Sequence, residues 1–448
     1  MSQITSAAHD KAATNRNIFL FFSSKLVSVL GSSMYTFVAG LFILNETGSG
    51  SSFAVTLLCG LLPGILLSPF AGVLADRVNR RRLLIGSDLA SALIMSLAFL
   101  FVSLEGMSLW TIYLSLILLS ICSTFYSISV SSSMMMLVDS GSVQRAGSLN
   151  QIAGSAGHLL APILAGLLYA FLPLQDFMLL NAAGFIVSTV MGCMLRYKPI
   201  PRLHAALEPA EAAGPQPLRE RLGTAVNGVR TNLKEGFAYV IRRPVLRSLM
   251  GIVFWINFFV VALNVVLPYV AVQTLGLSSK QYGVLEAMLA AGVLLMSLLL
   301  AILPQSKSPV KPILGGLSAL GVLFLALAVP LLLHFTPKAT FLLFLPLLVL
   351  IGVMIMVINI PIQVYLQQTT GEEYRGRVFG LVEGIAGSIA PLGMLLYGVL
   401  LDRIPGSFIL LVSGAAILAV TLAGQRGLVR SSAADQQAAQ GKTEQAGA

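Results

Sequence analysis

Apolar residues fall in twelve long runs, at about 17–44, 53–75, 83–104, 109–138, 148–172, 174–195, 247–273, 281–303, 312–334, 339–368, 378–401 and 406–425. Each meets the roughly 20 residues a helix needs to cross a hydrocarbon core of about 30 Å. Lipid offers no partner to a backbone N–H or C=O, so runs this long predict membrane-spanning helices. The first run is too long for a signal-peptide core and has no convincing small-residue cleavage site, so it too is read as a helix. The predicted fold class is an all-α membrane protein of twelve transmembrane helices in two pseudo-twofold-related six-helix bundles. The predicted boundaries are a cytoplasmic tail at 1–16, a bundle at 17–196, a linker at 197–246, a second bundle at 247–426 and a disordered cytoplasmic tail at 427–448.

The longest polar stretch divides six runs from six. Its first part carries Pro199, Pro201, Pro209, Pro215 and Pro217, which suits an extended linker. Its second part spaces Leu218, Leu222, Val226, Val229, Leu233, Phe237 and Val240 by three or four residues. That spacing fits an amphipathic helix, lying either on the membrane surface or against the protein. The halves also match at an offset of 230 residues: Gly86/Gly316, Gly141/Gly371, Gly154/Gly384, Gly157/Gly387, Gly184/Gly414 and Arg145/Arg375 coincide. "GSVQRAGSLNQIAGSAG" (141–157) pairs with "GEEYRGRVFGLVEGIAG" (371–387). Parallel six-helix repeats describe one large transporter architecture.

Composition agrees with the runs: 56% of the residues are hydrophobic and the mean hydropathy is +0.87. A soluble domain with that composition could not cover its surface with polar groups. The net charge of +10 would suit nucleic acid, but its distribution says otherwise. With odd-numbered runs directed outward, only Lys280, Lys338 and Arg403 of the 28 basic residues lie outside, and Lys25 lies within a run. This positive-inside asymmetry places both termini in the cytoplasm of a cell-membrane protein and removes the need for a nucleic-acid partner. Cys59, Cys122 and Cys193 sit in separate runs without metal-ligand or disulfide spacing, and are expected to be buried apolar fillers.

One polar stretch is unlike the others. "GVLADRVNRRRLL" (72–84) resembles the cytoplasmic loop between the second and third helices of the major facilitator superfamily, through Gly72, Leu74, Ala75, Asp76, Arg77, Arg80, Arg81 and Leu84. Asn79 replaces the family's glycine, and the second-half counterpart at 301–314 keeps Lys307 and Lys311 without the acid. "IGSDLASA", "KEGFAYVIRRPVLRSLM" and "EEYRGRVFGLVEGIAGSIAPLGMLLYG" are similar to the drug-efflux group that contains macrolide and siderophore exporters. The resemblance implies a proton-coupled exporter working by alternating access, without cofactor, with a small-molecule substrate, lipid contacts and a monomeric functional unit. It also implies a gating loop, Gly72, Asp76, Arg77, Arg80 and Arg81. Asp76 would face the N-terminus of the eleventh helix near Arg377, with Arg145 and Arg375 as repeat-related loop residues. The alternative is that these arginines only anchor topology.

Polar residues inside the runs mark candidate sites, since ionisable groups in a bilayer are costly. Lys25 shares a face with Ser28, Ser32 and Tyr35; Asn257 and Asn264 share another; Asn359, Gln363 and Gln367 form a third. The resemblance puts the first, fourth, seventh and tenth helices around a central cavity, so these are cavity candidates, with interhelical hydrogen bonding as the alternative. For Ser120, Thr124, Ser127 and Ser131, packing is the favoured role. Glu383, Glu286 and Asp88 are proton-coupling candidates, with a structural ion pair favoured for Asp88. His158 is the fourth candidate, although a neutral core histidine is the preferred reading. The fourth run has no arginine, which departs from many proton-coupled relatives. The sparse charge favours a neutral or cationic amphiphile. An importer or lipid flippase of the same fold is the near alternative. A membrane-embedded enzyme would need catalytic groups, yet the sequence has no HExxH, GxSxG or P-loop.

Overall fold

A computed structural model of the chain describes residues 2–75, 79–138, 142–195, 237–241, 243–303, 310–370 and 372–425, which hold twelve long helices and no strand. The first six are α1 (Ser2–Thr47), α2 (Gly50–Ala75), α3 (Arg80–Glu105), α4 (Leu109–Leu137), α5 (Val143–Leu168) and α6 (Leu174–Met194). The second six are α7 (Pro244–Tyr269), α8 (Ser279–Ile302), α9 (Val310–Leu332), α10 (Pro337–Thr369), α11 (Glu372–Leu401) and α12 (Gly406–Gln425). Eleven carry an apolar stretch of membrane-crossing length, and α11 has a shorter apolar part at Gly387–Leu401. The segment 2–16, read as a tail, continues α1 as helix, as its alanines permit. Most of the linker and its amphipathic stripe lies outside the described residues.

Local chemistry sets the helix ends. The Asn79 side chain accepts from the Arg81 N–H at 3.0 Å and starts α3, and Gly106 ends it with φ 86°. Ser278 and Gln281 form a capping box on α8, and Thr336 followed by Pro337 opens α10. Pro268 is the last residue but one of α7, which passes into a wider π-turn over Val270–Thr274.

The described residues form two compact units, one of 2–43 and 55–195, the other of 44–54 and 237–425. Tyr35, Met95, Ile112 and Phe177 are fully buried in the first, and Phe324 and Phe344 in the second. Leu97, Leu104, Phe171 and Leu298 are exposed, as lipid-facing side chains should be. Cys193 is also exposed, unlike the buried thiol expected there.

The sequence repeat recurs as a packing repeat. In the first unit α3 packs on α4 and α6, and α2 meets α4 where a methyl group on Gly64 would come 3.0 Å from Thr124 Oγ1. In the second, α9 packs on α10 and meets α12 through Gly321 and Gly414, while α8 lies on α10. The α1–α5 contact at Val29 and Gly157 has its counterpart in α7–α11. Near where its apolar span begins, the first helix of each unit is also tied to the end of the fourth. Asn17 donates to Leu137 O at 3.0 Å, and Arg243 to Thr369 O at 2.7 Å.

Backbones approach most closely between α8 and α10. A Cβ on Gly292 would run into the Val349 carbonyl, and one on Gly352 into the Leu289 carbonyl. Small residues allow this where lipid supplies no hydrophobic drive for helix association. Gly352→Leu is therefore expected to destabilise the second unit by about 1–3 kcal/mol or more. A lowered melting temperature of the purified protein in detergent would record it; an unchanged one would refute the contact.

Residues 44–54, the turn between α1 and α2 with its flanks, belong to the second unit by their contacts. Asp402, in the turn after α11, accepts from the Gly50 N–H at 2.6 Å, the Ser51 N–H and Ser49 hydroxyl at 3.2 Å, and the Ser51 hydroxyl. Burial alone would raise this carboxyl, but the serine and backbone donors outweigh it and hold it below the usual carboxylate value. The ionised form is the one bound, so the tie is present at neutral pH and lost as pH falls through that lowered value. Hydrogen exchange at Gly50 and Ser51 should quicken in Asp402→Asn at neutral pH, and in wild type only under strong acid.

Candidate functional site

In the second unit α7, α9, α10 and α11 enclose a cavity of about 310 Å³, within the usual span of small-molecule pockets. Its wall is aliphatic, with Ile252, Ile256, Leu320 and Ile358 among the lining residues, interrupted by three amides, Asn257, Asn359 and Gln363. Asn359 and Gln363 are four apart on α10 and both exposed into the opening. Asn257 donates from Nδ2 to its own helix at Val253 O, 2.8 Å away, which leaves its oxygen for another donor. Among the described residues no ionisable side chain lines this cavity. Its described lining offers apolar area and a few hydrogen-bonding groups. Asn264 shares the expected face but lies two turns farther along α7, exposed and outside the lining. Ring contacts join Phe254, Trp255, Phe258 and Phe259 on α7 to Tyr397 on α11, with Trp255 half exposed.

The ionisable groups of the first unit are arranged differently. Asp88 on α3 is 1% exposed; Ser28 on α1 donates to Oδ1 at 2.9 Å and Ser188 on α6 to Oδ2 at 2.5 Å. Ser24 joins this cluster through Ser188 at 2.9 Å and Tyr126 at 3.1 Å. The ion pair favoured for Asp88 is not found among the described residues, because its two oxygens are taken by hydroxyls. Lys25, on the adjacent face of α1, donates to Asn150 Oδ1 on α5 at 2.7 Å. Two turns along the same pair of helices, His158 Nδ1 meets the Ser33 hydroxyl at 3.0 Å. The His158 side chain is exposed, so it is not the core histidine the sequence favours.

Glu286, on α8, accepts from Tyr282 one turn earlier at 2.6 Å. Thr124 and Ser131 bond back to the carbonyls of Ser120 and Ser127 within α4. Of the gating loop, Arg80 donates to Ser132 O near the end of α4 and Arg81 to Cys193 O at the end of α6, both at 2.7 Å. A guanidinium on the last carbonyls of a helix complements its negative end. Arg145 reaches Asn15 on α1 at 3.4 Å. Asp76 and Arg77, and the side-chain surroundings of Gly72, Arg375, Arg377 and Glu383, lie outside the described residues. Asn150, Ser33 and Ser188 are site residues that periodicity misses. Asn150 had one signal, its place in the duplicated block at 141–157.

The model of the Major Facilitator Superfamily matches residues 21–393. Macrolide efflux protein A of Streptococcus pyogenes is 22% identical over 404 residues, which cover 90% of this chain and 94% of that protein. The multidrug efflux pump Tap of Mycolicibacterium fortuitum is 26% identical over 377 residues, 80% of this chain and 83% of the relative. A crystal structure of a bacterial homologue of the iron transporter ferroportin, in its inward-facing state, shares the fold with a TM-score of 0.66 at 18% identity over 92% of this chain and 98% of the other. Twelve apolar helices, a packing repeat and a family match across most of the length lead to one conclusion: this multi-pass membrane protein belongs to the Major Facilitator Superfamily and is a transporter.

Proposed function

We propose that the protein is a secondary active exporter that exchanges protons for hydrophobic or amphipathic small molecules by alternating access. The observation that supports this most is the cavity of the second unit, aliphatic with three amides and no charged side chain among its described lining. The names of two relatives, a macrolide efflux protein and a multidrug efflux pump, point the same way. The proton gradient is the only energy source the reading requires, and a single chain carries both units.

The orientation follows from charge: Arg145 is cytoplasmic and Lys338 external. In a cysteine-free background, Lys338→Cys should react with a membrane-impermeant maleimide in intact cells, while Arg145→Cys should react only after permeabilisation. The opposite pattern inverts the topology.

Asp88 is assigned the coupling proton. Hydroxyls donate and accept, so Ser28 and Ser188 can serve the carboxylate or the carboxylic acid without any other group moving. A fixed cationic partner would instead hold one protonation state. Glu286 with Tyr282 is the second carrier to test, and Glu383 the third. In everted vesicles, Asp88→Asn should lose gradient-driven accumulation of a neutral fluorescent amphiphile such as Nile red, yet retain its exchange down a concentration gradient. Wild-type accumulation by this variant would transfer the role elsewhere, and accumulation only in right-side-out vesicles would replace export with import.

A further inference from the structure

The first unit holds a cation without a counterion. Lys25 lies inside the span Thr14–Thr47, half-buried, and its bond is to the neutral oxygen of Asn150. No carboxylate among the described residues lies within ion-pair distance of it. Asp88, the buried acid of the same unit, has its oxygens on Ser28 and Ser188. An ammonium in an apolar span is costly unless an anion meets it.

The helix beside Lys25 presents a position without a side chain and, a turn on, a ring nitrogen. Across from Lys25 on α5 is Gly154, where a Cβ would stand 3.7 Å from Cε and 3.8 Å from Nζ, so the lysine tip lies along a bare stretch of helix. One turn beyond Gly154 is His158, whose ring is exposed. Its Nδ1 is engaged by Ser33, and Nε2 remains for a ligand. One ammonium hydrogen is committed to Asn150 and the others are free. This wall therefore offers an ammonium, an imidazole nitrogen and serine hydroxyls, with no acid among its described members.

We propose that Lys25, with Asn150 orienting it and His158 beside it, binds an oxyanion carried by the transported molecule, so that the preferred substrate is an amphiphile with a carboxylate or similar acidic group. This rests on the reading of the protein as a small-molecule exporter, and it departs from the neutral or cationic amphiphile that the sparse charge of the sequence favours. Asn150 acts on the ligand through Lys25 and is a positioning residue.

Three probes of equal apolar bulk test it: a dansyl-labelled undecanoic acid, its primary amide and the corresponding amine. Binding is followed by dansyl fluorescence with the full-length protein in nanodiscs of phosphatidylcholine alone, and transport in everted vesicles. The acid should bind at least about tenfold more tightly than the amide, as a charge-assisted hydrogen bond warrants. Lys25→Arg should keep that ratio, Lys25→Gln should bring it near one, and Lys25→Glu should turn the preference towards the amine. The wild-type comparison decides the matter even if a charge variant fails to fold. Equal handling of acid and amide, or a preference unmoved in Lys25→Gln, overturns the proposal and leaves the exporter reading intact. Transport of none of the three in energised vesicles overturns both. If the preference appears only when phosphatidylglycerol is added, the lysine serves a lipid phosphate and the proposal also fails.

Discussion

A bilayer core supplies no hydrogen bonds, so every polar group placed there must be satisfied by the chain itself. The helical backbone meets most of that demand internally. Hydroxyl groups meet theirs by turning back onto the carbonyl one turn earlier, as Ser91, Ser96, Thr124, Ser297 and Thr421 do. Among the groups that reach another helix, Asp88, Lys25, His158 and the serines that hold them gather where α1 meets α3, α5 and α6.

The two units divide the chemistry unequally, although their packing is duplicated. The second builds an apolar cavity whose polar members are amides, which keep one charge state at all pH values. The first places Asp88, Lys25 and His158 along α1 and the helices it meets. A duplicated ancestor would have offered the same positions to both; the present chain keeps Arg145 and Arg375 in register but has Asn359 and Gln363 only in the second half.

The helices were legible because hydropathy acts over twenty residues and tolerates local noise, and the bounds of α3, α6 and α10 fall within a few residues of the apolar runs. Asn257, Asn359 and Gln363 were legible for the same kind of reason, since amides stand out in apolar runs and their spacing fixes a face. Asn264 shows the limit of that argument: a shared face says nothing of depth along the helix. The ties of Lys25 to Asn150 and of Asp88 to Ser188 join residues 125 and 100 positions apart. No periodicity within one helix reports on its neighbour, and a serine in an apolar run is too common to signal a carboxylate's partner. Arg80 and Arg81 looked like topology anchors or gate residues, and the structure adds a mundane duty, since Arg81 closes the end of α6 and Arg80 holds a carbonyl of α4.

The glycine contacts between α8 and α10 bear on mechanics. Where one main chain rests on the carbonyl of another, a slide of even a fraction of an ångström meets hard repulsion, and no side chain can rotate to absorb it. These two helices must travel as a single beam. Deformation within the second unit then falls to its softer joints, above all α7, where Pro268 and the wide coil after it have already loosened the hydrogen-bond ladder.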